Sequence, residues 1–207
     1  MNRDSGSAPL QVGRGQTRCV DGAVIATTGK TVVRIEADRV CKRYFEYAKS
    51  LRHWRRERDA LALLAGIDGV PELLEAREDE RVLIMSRIPG VQLSRDLPVP
   101  DTAWQGLRQL VADILARGVA RHSLPVRDLV LRPDGSLGMV DFERVVLQGS
   151  RSKPIWLVAC MVTRFNLTRL IAECAPHLLT ERERRHLGWG LALRNALRRL
   201  RRVRGQK

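Results

Sequence analysis

Aromatic side chains are scarce in this chain of 207 residues, only 4% of the total, and they are not interleaved with its basic residues. Specific single-strand RNA binding, which stacks bases on aromatic rings, is therefore a poor fit. No run approaches the roughly 18 uncharged apolar residues that mark a membrane span. The segment Met1 to Gly15 is polar and glycine-bearing, lacks the apolar centre of a signal peptide, and reads as a loose lead-in. The four cysteines, Cys19, Cys41, Cys160 and Cys174, form no CxxC and no Cys/His cluster. That spacing disfavours a zinc site or a disulfide framework and predicts plain buried thiols in a reduced, cytoplasmic setting.

Acidic residues are the minority. Against 23 Asp and Glu stand 37 Lys and Arg, a formal net charge of +14 carried mostly by arginine, and the sequence pI is about 11.0. Such a surface attracts phosphates, whether of nucleotides, nucleic acid, an anionic bilayer face or a phosphorylated glycolipid. Charge alone does not choose among them. The 44% hydrophobic content suffices for a core in one domain or two closely packed lobes.

The first half reads as strands at Ala23–Thr27, Thr31–Ile35 and Arg39–Phe45, where β-branched and alternating runs are divided by turn residues. The period then changes. Leu51, Trp54, Leu61 and Leu64 share one helical face, and Gly66 is a natural stop. Pro71–Glu75 and Arg81–Ser86 predict two more strands before a break at Ile88-Pro89-Gly90. The second half is mostly helical. Trp104, Leu107, Val111, Ile114 and Leu115 form an apolar stripe ending near Gly118, and Ile155–Ala172 predicts a buried helix. Thr180 and Glu183 have the spacing of a capping box and open an Arg-rich segment.

The most informative stretch is Arg127–Arg144. Two apolar runs, Leu129–Leu131 and Leu137–Val140, flank Pro133-Asp134-Gly135, a strong turn signal. Folding about the Asp134–Gly135 step sets Asp128 opposite Asp141 at the open end of a hairpin, and a bulged turn would slip that register by one residue. Adjacent carboxylates repel unless a cation lies between them. A hard divalent ion such as Mg²⁺, completed by phosphate oxygens, is one guest. The other reading is that each aspartate caps a turn or pairs with Arg127 or Arg144.

Over positions 25 to 180 the sequence resembles the protein-kinase-like superfamily, and most closely its compact bacterial branch of lipopolysaccharide core kinases and RIO-type kinases. Asp141-Phe142-Glu143 stands where that family has its metal-binding DFG-like triplet. Asp128 falls at the catalytic-loop asparagine that holds a second Mg²⁺. Val40-Cys41-Lys42 resembles the family's V-A-I-K strand, which makes Lys42 the candidate contact to the α- and β-phosphates of ATP, with Glu57 as its partner on the first helix. Met85–Gly90 resembles the hinge that meets adenine. The resemblance implies an α+β, two-lobed fold, with residues 19–89 as a β-rich N-lobe, 90–180 as a helical C-lobe and 181–207 as a basic C-terminal helix. It also implies ATP and Mg²⁺ as cofactors and a lipopolysaccharide or glycolipid sugar hydroxyl, or a protein serine, as acceptor.

Two departures matter. In place of a glycine-rich loop there is only Gly29-Lys30-Thr31, where Lys30 is either a phosphate ligand or a solvated turn residue. Five residues before Asp128, where the motif has its catalytic aspartate, stands Ser123. Three readings stay open: Asp128 is the base in a shortened loop, His122 takes that role, or the protein is a pseudokinase acting as a binding or regulatory module. The arginines between Arg182 and Arg204, spaced around Leu187, Trp189, Leu193 and Leu197, suit a peripheral position on the anionic inner-membrane face, RNA phosphates, or a solvated closing helix.

Overall fold

The computed structural model describes residues 16–20, 22–150 and 152–188. Its first half is a six-stranded antiparallel sheet in the order β1-β2-β3-β4-β6-β5. The strands are β1 (Gln16–Val20), β2 (Ala23–Thr27), β3 (Thr31–Ile35), β4 (Arg39–Tyr44), β5 (Leu73–Arg77) and β6 (Val82–Ser86). β2 and β3 have the bounds that their alternation predicts, and β4 stops one residue short of Phe45. β1 is an addition. Its sequence QTRCV has no apolar alternation, and its conformation follows from pairing along β2.

Helix α1 (Ser50–Leu63) lies on this sheet. Trp54, Leu61 and Leu64 are buried on its inner face, and the Trp54 indole donates to the Val82 carbonyl at 3.1 Å. The helix ends at Leu63, and Gly66 sits beyond it at φ +77°. Glu57 shares the apolar stripe and is only 1% exposed. A carboxylate placed there must find partners, because an unpaired buried charge costs several kcal/mol.

The second half holds β7 (Val91–Gln92), α2 (Asp101–Ala116), β8 (Val119–Arg121), β9 (Leu129–Leu131), β10 (Leu137–Met139), β11 (Val145–Leu147) and α3 (Lys153–Cys174). β10-β9-β7 and β11-β8 make two small sheets, whose strands β7, β8 and β11 are too short to leave a sequence signature. All five residues of the expected α2 stripe are buried. The capping box forms as its spacing predicts: Thr180 N–H donates to Glu183 Oε2 at 2.9 Å, and Glu183 N–H to Thr180 Oγ1 at 3.2 Å. Glu183 also takes the Arg108 guanidinium, which ties the helix at 181–188 to α2. The remainder of the Arg-rich segment, 189–207, lies outside the described residues.

Two expectations need correction. The α3 segment is not buried all round: Ala159, Thr163, Leu167, Leu170 and Ile171 face the core, while Ile155, Leu157, Val158 and Met161 are exposed. By length and composition α3 could cross a membrane, so the absence of a long uncharged run does not by itself exclude it. The cysteines are all free thiols and none is fully buried; Cys19 is exposed.

The crossover between the halves depends on glycine. Gly90 has φ +136°, and a Cβ there would stand 2.2 Å from the Leu131 carbonyl oxygen. Neither the backbone angle nor the contact tolerates a side chain. Gly90→Ala is expected to destabilise by at least about 2 kcal/mol, read as a fall in Tm of several degrees. An unchanged Tm would show that β7 and β9 approach less closely than described.

Candidate active site

Lys42 sits in the interior of the sheet, between Val33 of β3 and Leu83 of β6. Strand alternation puts Lys42 and Tyr44 on one face, toward α1. The Lys42 ammonium lies 2.8 Å from Glu57 Oε2, 3.1 Å from Glu57 Oε1 and 3.0 Å from Asp141 Oδ1. Burial works against its charge, but Asp141 and Glu57 outweigh it and hold its pKa well above that of an ordinary lysine. Glu57 is fully engaged. The Tyr44 hydroxyl donates to its Oε2, and the Phe142 N–H donates to Oε1 at 3.1 Å.

The hairpin carries the other half of the site. Met139 faces Leu129, so Asp128 lies opposite Val140, one residue away from the pairing expected for a fold about Asp134–Gly135. The slip comes from a three-residue loop. Arg132 N–H donates to the Ser136 carbonyl at 2.9 Å, Gly135 takes φ +81°, and Asp134 Oδ1 accepts from Ser136 N–H at 2.9 Å. Val140 N–H then donates to the Asp128 carbonyl at 2.8 Å. Asp141 follows with φ +64°, an angle few side chains other than Asn and Asp adopt readily.

The two aspartates have different surroundings. The Asp141 side chain is 45% exposed, whereas that of Asp128 is only 11% exposed. Burial pushes the Asp141 carboxyl up, but Lys42 more than offsets this and holds it below the usual range. Asp128 is pushed up to about 6 by burial, with Asp141 adding and Arg121 opposing. Its closest partner is Arg121, whose Nη2 is 2.6 Å from Oδ2, and Arg127 makes a longer ion pair, its Nε 3.8 Å from Oδ1.

A raised carboxyl pKa favours the folded state most below the ordinary value of 3.8, and that advantage is lost as the pH rises toward about 6. Asp128→Asn removes the titration. Between pH 4 and 7 the stability of the variant relative to wild type is expected to improve by about 2–3 kcal/mol in urea unfolding. A constant difference would mean that Asp128 titrates normally.

The remaining candidates lie at the margins. Lys30 is in the exposed β2–β3 turn, whose backbone is pinned by Thr28 Oγ1, and its charge is felt at Glu143. His122 follows β8; its carbonyl accepts from the Asn166 side chain at 2.8 Å, and burial, Arg144 and Arg56 push its imidazole pKa down. Met85 is a buried residue of β6 set between Val40 and Leu73, on the wall of the sheet. Tyr44, Arg121 and Glu143 belong to the site but carried no assigned role. Tyr44 was findable, two positions from Lys42 on the same strand face. Arg121 was not, because nothing local distinguishes it from the chain's many other arginines.

Among the described residues no three His, Cys, Asp or Glu side chains converge as a metal-ligand group. Asp141 fits a hard cation as one exposed carboxylate, with phosphate oxygens and water supplying the other ligands. Asp128 fits less well, since one of its oxygens already holds a guanidinium.

No family model and no curated protein sequence matches the chain. Solved structures do. Monomeric WbdD is 18% identical with a TM-score of 0.51, and the match covers 67% of this chain and 37% of that one. The bifunctional kinase–methyltransferase WbdD is 17% identical with a TM-score of 0.50, over 78% and 47% of the two chains. WbdD co-crystallised with the kinase inhibitor LY294002 is 17% identical with a TM-score of 0.53, over 81% and 49%. The chain thus spans less than half the length of these structures. Likeness at this identity speaks for the fold alone, and the fold it shows is a two-lobed, α+β, kinase-like architecture.

Proposed function

We infer that this protein is an ATP-dependent phosphotransferase acting on a hydroxyl group. The observation that carries the reading is the buried Lys42, held between Glu57 and the exposed Asp141. A lysine fixed in this way stays charged and is held in place for a phosphate chain. Bound MgATP would supply the transferable phosphoryl group and the cation that neutralises it. Lys42 would bind the phosphates, Glu57 would orient Lys42, and Asp141 would hold the metal.

Proton removal from the acceptor falls to Asp128 or His122. Asp128 lies at the hairpin mouth beside Asp141, and its carboxyl pKa of about 6 is near the working range of a base. Asp128 is the better candidate. The acceptor class that suits a chain of net charge +14 is anionic, and a lipopolysaccharide or related glycolipid sugar hydroxyl is the proposed acceptor. A second reading, a pseudokinase serving as a binding module, is favoured by Ser123 at the usual base position.

The test is transfer of labelled γ-phosphate from ATP in the presence of Mg²⁺. Label entering lipopolysaccharide supports the reading, and label entering only a protein serine moves the acceptor class. Nucleotide binding without transfer to either acceptor selects the pseudokinase.

A further inference from the structure

The mouth of the hairpin already contains a cation. Arg121 ends β8, and its side chain is only 5% exposed. Its Nη2 donates to Asp128 Oδ2 at 2.6 Å, its Nη1 donates to the Val140 carbonyl at 3.0 Å, and its guanidinium lies 5.1 Å from the centre of the Phe142 ring. Its backbone N–H donates to Thr163 Oγ1 at 2.9 Å, so α3 fixes the strand from behind. A guanidinium cannot lose its proton under these conditions. It is therefore a permanent positive charge at the place where the carboxylate pair calls for one.

We propose that Arg121 acts as a built-in counter-cation for Asp128, so that the site takes one divalent ion, at Asp141, and not two. This rests on the phosphotransferase reading for the identity of the site, but not for the role of Arg121. Lys42 is shared by Glu57 and Asp141, whereas Arg121 is 2.6 Å from Asp128. The exposed Asp141 carboxylate is where an added cation has access. A second ion at Asp128 would compete with Arg121 for Oδ2, the acceptor of a buried, charge-assisted hydrogen bond, and would stand beside a fixed guanidinium at Oδ1. Arg121 is thus a positioning residue. It neutralises Asp128, aims its carboxylate, and joins it to the backbone one residue before Asp141.

Mn²⁺ in the presence of a non-hydrolysable ATP analogue, followed by electron paramagnetic resonance, reads the stoichiometry directly. Wild type is expected to bind one Mn²⁺ per chain. Asp128→Asn should change its affinity by no more than about threefold, whereas Asp141→Asn should weaken it by at least roughly tenfold. Arg121→Gln frees the Asp128 carboxylate and should raise the stoichiometry from one to two, an outcome that a purely structural arginine would not produce. Two ions in wild type, or equal losses for the two aspartate variants, overturn the proposal.

Thermal unfolding without nucleotide separates this from the parent reading. Arg121→Gln should lower Tm, and adding Asp128→Asn to it should restore part of the loss, because the orphaned charge is gone. Strictly additive losses overturn the counter-cation role. No Mn²⁺ binding with the analogue, together with that partial restoration, sinks the phosphotransferase reading and leaves Arg121 as the counter-cation.

Discussion

Asp141→Ala is expected to abolish the part of ATP's thermal stabilisation that depends on Mg²⁺. A ligand that binds only the folded state stabilises by RT ln(1 + [L]/Kd), about 2.7 kcal/mol at a hundredfold excess over Kd. For a chain of this size that corresponds to a rise in Tm of roughly 5–10 °C. Asp141 is the exposed carboxylate of the site, and its left-handed backbone at φ +64° sets it just beyond the end of β10. Alanine removes the oxygen ligand and also releases Lys42 from one of its two counter-ions. Residual ATP binding through Lys42 should then no longer respond to Mg²⁺. The measurement is differential scanning fluorimetry with ATP, with and without Mg²⁺, on both proteins. A wild type that shows no Mg²⁺-dependent shift defeats the phosphotransferase reading, and a variant that keeps the full shift moves the metal elsewhere.

Lys42→Met should cost more in stability than in any single contact, because it leaves Glu57 charged and buried. Breaking a buried pair by removing one partner costs about 3–5 kcal/mol. Glu57 retains the Tyr44 hydroxyl and the Phe142 N–H, so the lower part of that range applies. A fall in Tm of roughly 6–12 °C follows, with loss of ATP stabilisation in the same variant. Lys42→Met with Glu57→Gln removes both charges and should regain part of the loss, by a coupling of about 1–3 kcal/mol. The pH dependence has a definite sign. The pKa of Lys42 is raised in the folded state, so its contribution is fully present below the ordinary lysine value of 10.5 and is lost only as the pH climbs through the higher folded value. Across pH 7–9 the penalty should be flat on the lysine side. A double variant no more stable than Lys42→Met would mean that Glu57 is not destabilised by losing its lysine.

Much of this site was legible because its parts obey local periodicities. Period-2 alternation placed Lys42 on a strand, a stripe of Trp54, Leu61 and Leu64 placed Glu57 on a helix, and the Pro-Asp-Gly turn placed both aspartates at one end of a hairpin. The register was not legible to one residue. Whether the loop closes on two residues or three depends on Gly135 taking positive φ and on the Asp134–Ser136 hydrogen bonds, and each alternative satisfies the same apolar runs. The α3 segment misled for a related reason. A run apolar on every side is compatible with full burial, yet only one of its faces meets the core.

By itself the sequence determined the order of the elements, the residues that line their buried faces, and a charged lysine and glutamate on surfaces that pack together. Those properties are local, set by backbone preference and by the cost of exposing apolar side chains. Only the tertiary structure decided which cation each aspartate holds. Arg121 is seven residues from Asp128 in sequence, but it reaches it because β8 pairs with β11 and is pinned to α3 through Thr163. Asp141 is 99 residues from Lys42 and accepts a hydrogen bond from its ammonium at 3.0 Å. Ion pairing is a matter of distance in space, and in a chain with so many arginines no spacing rule can select the one that ends beside a buried carboxylate.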